Sequence, residues 1–221
     1  VSKLGGYKQT DIRKMLAGKQ AQASGSMGSQ NEYISGGSSR QDLETMMQLV
    51  YLQFQPLQPD MDAAQNMLTQ YYTMLQGKES NPLSWYADSV SSTLYGKNPR
   101  NIIMKKELLP AISYQRALDI WADRFADASD FTFFFVGTFD EDTLSKYCCQ
   151  YLATLPTVKR NDKPVYTDLV IRKGNIQNIY KAKMEQPQAM ASLIMHAPAK
   201  KKNLKDEIVM SILGQAMQMN Y

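Results

Sequence analysis

The run Phe131-Thr132-Phe133-Phe134-Phe135-Val136 constrains this chain more than any other stretch. It is strand length and rich in aromatic and β-branched side chains. A strand apolar at nearly every position cannot lie on a half-solvated sheet. It has to be covered on both faces or sit centrally among neighbouring strands. Its flanks supply the cover. Before it, Ser113 caps a helix whose Tyr114, Ala117, Leu118, Trp121 and Phe125 fall on one face. After it, Asp140, Glu141 and Asp142 open another helix, where carboxylates suit the positive end of the helix dipole. Leu144, Tyr147, Cys148, Tyr151 and Leu152 line the inner side of that helix, with Cys148 as a small core residue.

The first third of the chain carries further strands and helices. Lys19 to Ser26 and Ser29 to Ser35 read as two strands joined by a tight turn containing Gly25 and Gly28. Gly36-Gly37-Ser38-Ser39 breaks the sheet. Ser39 with Asp42 then forms a capping-box-like start to a helix carrying Leu43, Met46, Met47, Val50, Tyr51 and Phe54, ended by Pro56. Asp60 opens a second helix, with Ala64, Met67, Leu68, Tyr71 and Leu75 as its stripe and Gly77 as its stop. Pro82 sits in the first turn of a third, bearing Trp85, Tyr86, Val90 and Leu94 and closed by Gly96-Lys97-Asn98-Pro99. Pro156 to Pro164 is polar and basic and reads as a linker. Beyond it, Ile176 to Met184 and Met190 to Met195 read as strands. Asn203 with Asp206 starts a last helix carrying Leu204, Ile208, Ile212 and Ala216. Helices mixed with short strands in this order make the chain α+β.

Composition narrows the function classes. The net charge of +4 is scattered, with one small cluster at Lys200, Lys201 and Lys202 that reads as a solvated loop, so no nucleic-acid face is expected. No run approaches the roughly 20 apolar residues of a membrane span.

Candidate chemistry is sparse. An inverted zinc-peptidase motif needs His-x-x-Glu-His on one helix, two histidines for the metal and a glutamate to activate water. This sequence has a single histidine, His196, which reads as structural or exposed. Cys148 and Cys149 are adjacent, which suits neither a disulfide nor a shared metal ion. Gly5-Gly6, Gly25, Gly28 and Gly36-Gly37 match no phosphate-loop spacing and read as turn residues. Glu141 and Asp142 read as helix-start charges. The 14 methionines fall mostly on core stripes. No catalytic or metal residue is assigned, no cofactor is expected in this chain, and substrate-binding residues stay unknown.

Several runs resemble one family. Leu16-Ala17-Gly18-Lys19 leads to the strand pair, and Asp42-Leu43-Glu44-Thr45-Met46-Met47-Gln48-Leu49-Val50-Tyr51-Leu52 forms a helix segment. Leu94-Tyr95-Gly96-Lys97-Asn98-Pro99-Arg100 is an inter-helix loop. Arg124-Phe125-Ala126-Asp127-Ala128-Ser129-Asp130-Phe131-Thr132-Phe133 runs on through Phe135-Val136-Gly137-Thr138-Phe139-Asp140 to Tyr151-Leu152-Ala153-Thr154-Leu155-Pro156. In this order they resemble the long bacterial insulinase-like (pitrilysin-type) zinc metallopeptidases, on their non-catalytic side.

The resemblance implies an antiparallel sheet flanked by helices, as in insulinase and processing-peptidase domains. It implies that residues 1–157 are most of the third of four domains, and that 158–221 are a linker and the opening of the fourth. Such parents close two halves around a peptide, with zinc in the other half. This chain would then wall the chamber, with the catalytic half of the same polypeptide as its partner and no peptidase activity of its own. An inactive structural or partner subunit of the same fold is the alternative. The resemblance also implies a bacterial envelope or periplasmic setting. Strands preceding Val1 would leave open sheet edges able to dimerise. A peptide in such a chamber could add as an extra strand, with Ser29 to Ser35 as a candidate edge, an ordinary structural edge being the favoured reading.

Overall fold

The computed structural model describes residues 2–28, 30–160, 169–181, 189–196 and 203–219. They fall into two compact units, residues 1–85 with 102–168 and residues 86–101 with 169–221. Helices and small antiparallel sheets make the chain α+β.

In the first unit, β1 (Ser2–Lys3) pairs antiparallel with β4 (Gln58–Pro59), and α1 (Gln9–Met15) follows β1. The main pair is β2 (Ala21–Met27) with β3 (Glu32–Ser38), in a register that sets Ala23 opposite Gly36 and Gly25 opposite Ile34. The connection is closed by the Gly28 N–H donating to the Asn31 carbonyl at 2.8 Å. The hairpin is present, but β3 begins later than the expected Ser29 and runs through Gly36-Gly37-Ser38, where the sequence had suggested a break. Packing explains both the shift and the glycines. A Cβ at Gly25 would meet Trp121 Cη2 at 2.5 Å, and one at Gly36 would meet Met46 Sδ at 3.3 Å. Bare backbone lets these large side chains lie directly on the strands.

Helix α2 (Leu43–Gln53) covers the pair. Its entrance is reciprocal: the Asp42 N–H donates to Ser39 Oγ at 3.2 Å, and the Ser39 hydroxyl donates to Asp42 Oδ2 at 2.8 Å. The Gln20 N–H also donates to Asp42 Oδ2, at 2.9 Å, and so ties the start of the hairpin to the start of α2. Asp60, Ser113 and Asp140 cap α3 (Met61–Glu79), α5 (Tyr114–Arg124) and α6 (Glu141–Tyr147) through the N–H groups of Ala63, Arg116 and Thr143. Gly77 does not stop α3, which runs on to Glu79. The stop falls at the next pair of signals, where Asn81 Oδ1 accepts from the Leu83 N–H at 2.9 Å and Pro82 opens α4 (Pro82–Tyr95).

The core of this unit is aromatic. Val50, Phe54, Phe125 and Leu155 are buried together, with Trp121, Phe131 and Phe133 packed against them. Phe125, only 1% exposed, stacks on Trp121 with centroids 4.2 Å apart and meets Phe54 edge-on at 5.9 Å. A smaller cluster of Leu4, Ile12 and Leu49 sits beside it.

Phe131 to Val136 differs from expectation. Among the described residues it pairs with no strand. Phe131 and Phe133 lie against Phe54, with centroids 5.0 and 6.2 Å away, while Phe134 is 85% and Val136 99% exposed. One face of the run reaches the core. The other faces solvent, because no ladder brings a neighbour alongside.

The helix after it is also shorter than expected. α6 ends at Tyr147, and Cys148–Leu152 form a π-turn, closed by the Ala153 N–H donating to the Cys148 carbonyl at 2.9 Å. The turn's Tyr151 meets α2: its hydroxyl donates to Glu44 Oε1 at 2.8 Å and accepts from Gln48 Nε2 at 3.1 Å. Cys148 is half-buried rather than a core residue, and Cys149 is exposed.

In the second unit the polypeptide after residue 168 is fastened to α4. The Arg172 N–H donates to the Leu94 carbonyl at 2.8 Å, Asn178 Nδ2 donates to Thr93 Oγ1 at 2.9 Å, and the Tyr86 hydroxyl donates to Ser192 Oγ at 2.6 Å. The strands expected at 176–184 and 190–195 are absent at 176–181 and 190–195, where isolated bonds to α4 replace a ladder. Residues 182–184 lie outside the described residues. Helix α7 (Leu204–Met219) starts as expected, with the Asp206 N–H donating to Asn203 Oδ1 at 2.8 Å. Its side chains from Leu204 to Met217 are exposed.

Candidate functional site

The first unit holds an open groove of about 730 Å³. β3 forms one wall and residues 130–139 another, and Met46, Met47, Val50 and Leu152 contribute its apolar surface. The hairpin places β3, and α2 aims its methionines inward. The aromatic core anchors Phe131 and Phe133, so the alternate residues of that run are presented outward.

Its electrostatics are nearly balanced. Arg124 grips Glu32 in a fork, Nε to Oε1 at 2.7 Å and Nη2 to Oε2 at 3.3 Å. Such a part-exposed pair contributes little stability, but it fixes the first residue of β3 against α5. Arg40 and Asp130 add one charge of each sign to the lining. Among the described residues the groove holds no histidine or cysteine in its lining. It offers apolar surface and a β3 edge that pairs on one side with β2. Such an edge can accept an extended peptide as an added strand.

The residues weighed from the sequence are not brought together here. His196, in the second unit, is exposed, with Nε2 3.3 Å from the Arg172 carbonyl oxygen. Burial pushes the Cys148 thiol up, and the neighbouring Cys149 adds to this, which disfavours a reactive thiolate. The glycines at 25 and 36 are packing residues in strands. Lys200, Lys201 and Lys202 lie outside the described residues. Glu141 and Asp142 stand in the first turn of α6, as expected. Among the described residues no group of three His, Cys, Asp or Glu side chains could hold a metal ion. Also among them, no helix is long and apolar enough to cross a membrane.

Two polar features were not foreseen. One is the Glu44, Gln48 and Tyr151 cluster, in which burial, opposed by the Gln48 bond, pushes the Tyr151 hydroxyl up. The other is Asp127, which is 1% exposed. The run Asp127-Ala128-Ser129, a short polar turn just before the apolar run, was its only signal.

Residues 111–219 match the family model described as the peptidase M16 inactive domain. This match begins within the first unit and crosses the 157/158 junction. No curated protein matches the chain. Among solved structures, it is similar to the ferredoxin protease FusC in complex with Arabidopsis ferredoxin, at 13% identity and a TM-score of 0.56. The likeness covers 75% of this chain and 18% of that one, and shows a shared fold. Residues 111–219 thus match the M16 inactive domain, and with the shared fold the chain fits the non-catalytic, C-terminal half of an insulinase-like protein.

Proposed function

We propose that this chain is the non-catalytic part of a zinc-dependent endopeptidase and encloses peptide substrate opposite a zinc site carried by the catalytic half of the same polypeptide. The observation that carries this reading is the groove between β3 and residues 130–139, an apolar channel beside a strand edge on an M16 fold. Residues 1–157 act as most of one peptidase-like domain, and 158–221 as a linker and the opening of the next. An extended peptide lies along β3, its backbone pairing with the edge and its alternate side chains against Met46, Met47 and Val50. The FusC structure holds a protein, ferredoxin, so a small protein with an extendable segment belongs to the same substrate class. The same edge can pair with a second copy, giving a dimer. The setting is the bacterial envelope.

The test uses the two halves separately and together. The isolated chain retains no stoichiometric zinc and cleaves no peptide. Added to the half carrying a His-x-x-Glu-His helix, it restores cleavage of an unstructured peptide. One tightly bound zinc per isolated chain, or full cleavage by the other half alone, would sink the proposal.

A further inference from the structure

The Asp127 carboxylate has no part in the groove, yet among the described residues of the first unit it is the most completely bonded buried acid. Oδ1 accepts from the Ser129 N–H at 3.1 Å, the Ser129 hydroxyl at 2.7 Å and the Thr157 hydroxyl at 2.9 Å. Oδ2 accepts from the Arg160 N–H at 2.6 Å. The Ser129 bonds are local. Those from Thr157 and Arg160 reach across from the segment that follows Pro156. Two further bonds fasten the same segment: the Ala128 N–H donates to the Pro156 carbonyl at 2.9 Å, and Arg160 Nη1 donates to Asp123 Oδ1 at 2.9 Å. Between the two anchored residues, Lys159 has a φ of 50°. For a non-glycine residue that conformation persists only where the surroundings hold it.

We propose that Asp127 is a conformational latch. It holds residues 156–160 as a closed strap, fixes the path of the chain after Pro156, and shields the Lys159–Arg160 peptide bond from proteases. The strap is poised, because Lys159 gains by relaxing when its neighbours are released. A protease needs several residues in extended form, and a strap fastened at Pro156, Thr157 and Arg160 denies it that form. The first part of a stretch whose composition reads as a linker is therefore fastened to the first unit, with Asp127 holding it at both Thr157 and Arg160. This inference does not depend on the peptide-enclosing role.

Limited trypsin digestion of the whole chain tests it, with cleavage after Lys159 and Arg160 compared with cleavage after Arg124 inside α5. Where opening is fast relative to cleavage, the rate follows the open population, so Asp127→Ala should raise cleavage at the strap about tenfold or more and leave Arg124 unchanged. Asp123→Ala, which removes only the Arg160 side-chain anchor, should have a smaller effect. If Asp127→Ala unfolds the chain, Arg124 is cut as well, and amide hydrogen exchange of the native chain decides instead. The Arg160 amide should then exchange far more slowly than that of Val158. Unchanged strap cleavage in a folded Asp127→Ala variant would overturn the latch. So would native Arg160 and Val158 amides exchanging alike.

Discussion

The β2–β3 hairpin and the Phe131–Val136 run share one unit and one core, and both carry strand-like sequence. Only the hairpin is a sheet. Its partner is supplied locally, a few residues along the chain, so the loop-closure cost is small and the ladder forms. Phe131–Val136 is far more hydrophobic and sends Phe131 and Phe133 into the same aromatic cluster that holds Phe54 and Phe125. Among the described residues it has no adjacent strand, and Phe134 and Val136 face outward. Burying one face positions a segment. A neighbour's backbone is what makes it a strand.

The comparison can be broken most forcefully at the shared core. Phe125→Ala empties the centre of the aromatic stack beneath both regions and should cost about 3–5 kcal/mol in urea or thermal unfolding. A loss near zero would mean that neither region depends on this core. Gly25→Ala comes next. The added Cβ collides with the Trp121 ring, and overpacking of this kind costs about 1–3 kcal/mol. The hairpin alone should feel it, as weakened exchange protection across β2 and β3.

Ser39→Ala removes one arm of the α2 entrance and should cost about 1 kcal/mol. Its pH dependence has a definite sign. The Gln20 N–H first, then the Ser39 hydroxyl, hold the Asp42 carboxyl below its ordinary value of 3.8. A lowered carboxyl contributes stability that is present above that value and lost as pH falls beneath it. The difference between wild type and Ser39→Ala should therefore be constant from neutrality down to that value and shrink only on acidification beneath it. A difference that grows in acid would contradict the assigned bonds. Smallest of all, Phe134→Ser with Val136→Ser should change stability by no more than about 0.5 kcal/mol, because both side chains are already in water. The same pair of changes should reduce peptide uptake and self-association, sharpening the contrast between holding the fold and offering a surface.

Much of this was legible from residues. Asp60, Ser113 and Asp140 cap helices where their spacing placed them, Ser39 bonds Asp42 just ahead of α2 without capping it, and the stripe through Met46, Met47, Val50 and Phe54 is buried as its period required. The α+β class followed from those elements, whereas the peptidase likeness came only from the resemblance of the runs at 16–19, 42–52, 94–100 and 124–156. The misreadings share a cause. Gly25 and Gly36 looked like turn residues because glycine marks both turns and close approaches, and only the positions of Trp121 and Met46 tell them apart. Phe131–Val136 read as a strand from its nearly unbroken apolar run and residues 176–181 from their alternation, but both signals report burial and are silent about a partner. Asp127 escaped notice because its donors at Thr157 and Arg160 are distant in sequence. The groove could not be read at all, since it exists only between segments that sequence treats separately.

Amide hydrogen exchange on the first unit, alone and with an excess of an extended apolar peptide, tests the peptide-enclosing account most directly. Alone, the β2–β3 ladder amides should be protected while Thr132 to Val136 exchange rapidly. With peptide, Thr132 to Val136 and the outer edge of β3 should slow together, and a proline-substituted peptide should leave both unchanged. Protection of Thr132 to Val136 in the isolated chain, or no response at β3 to saturating peptide, would contradict the account.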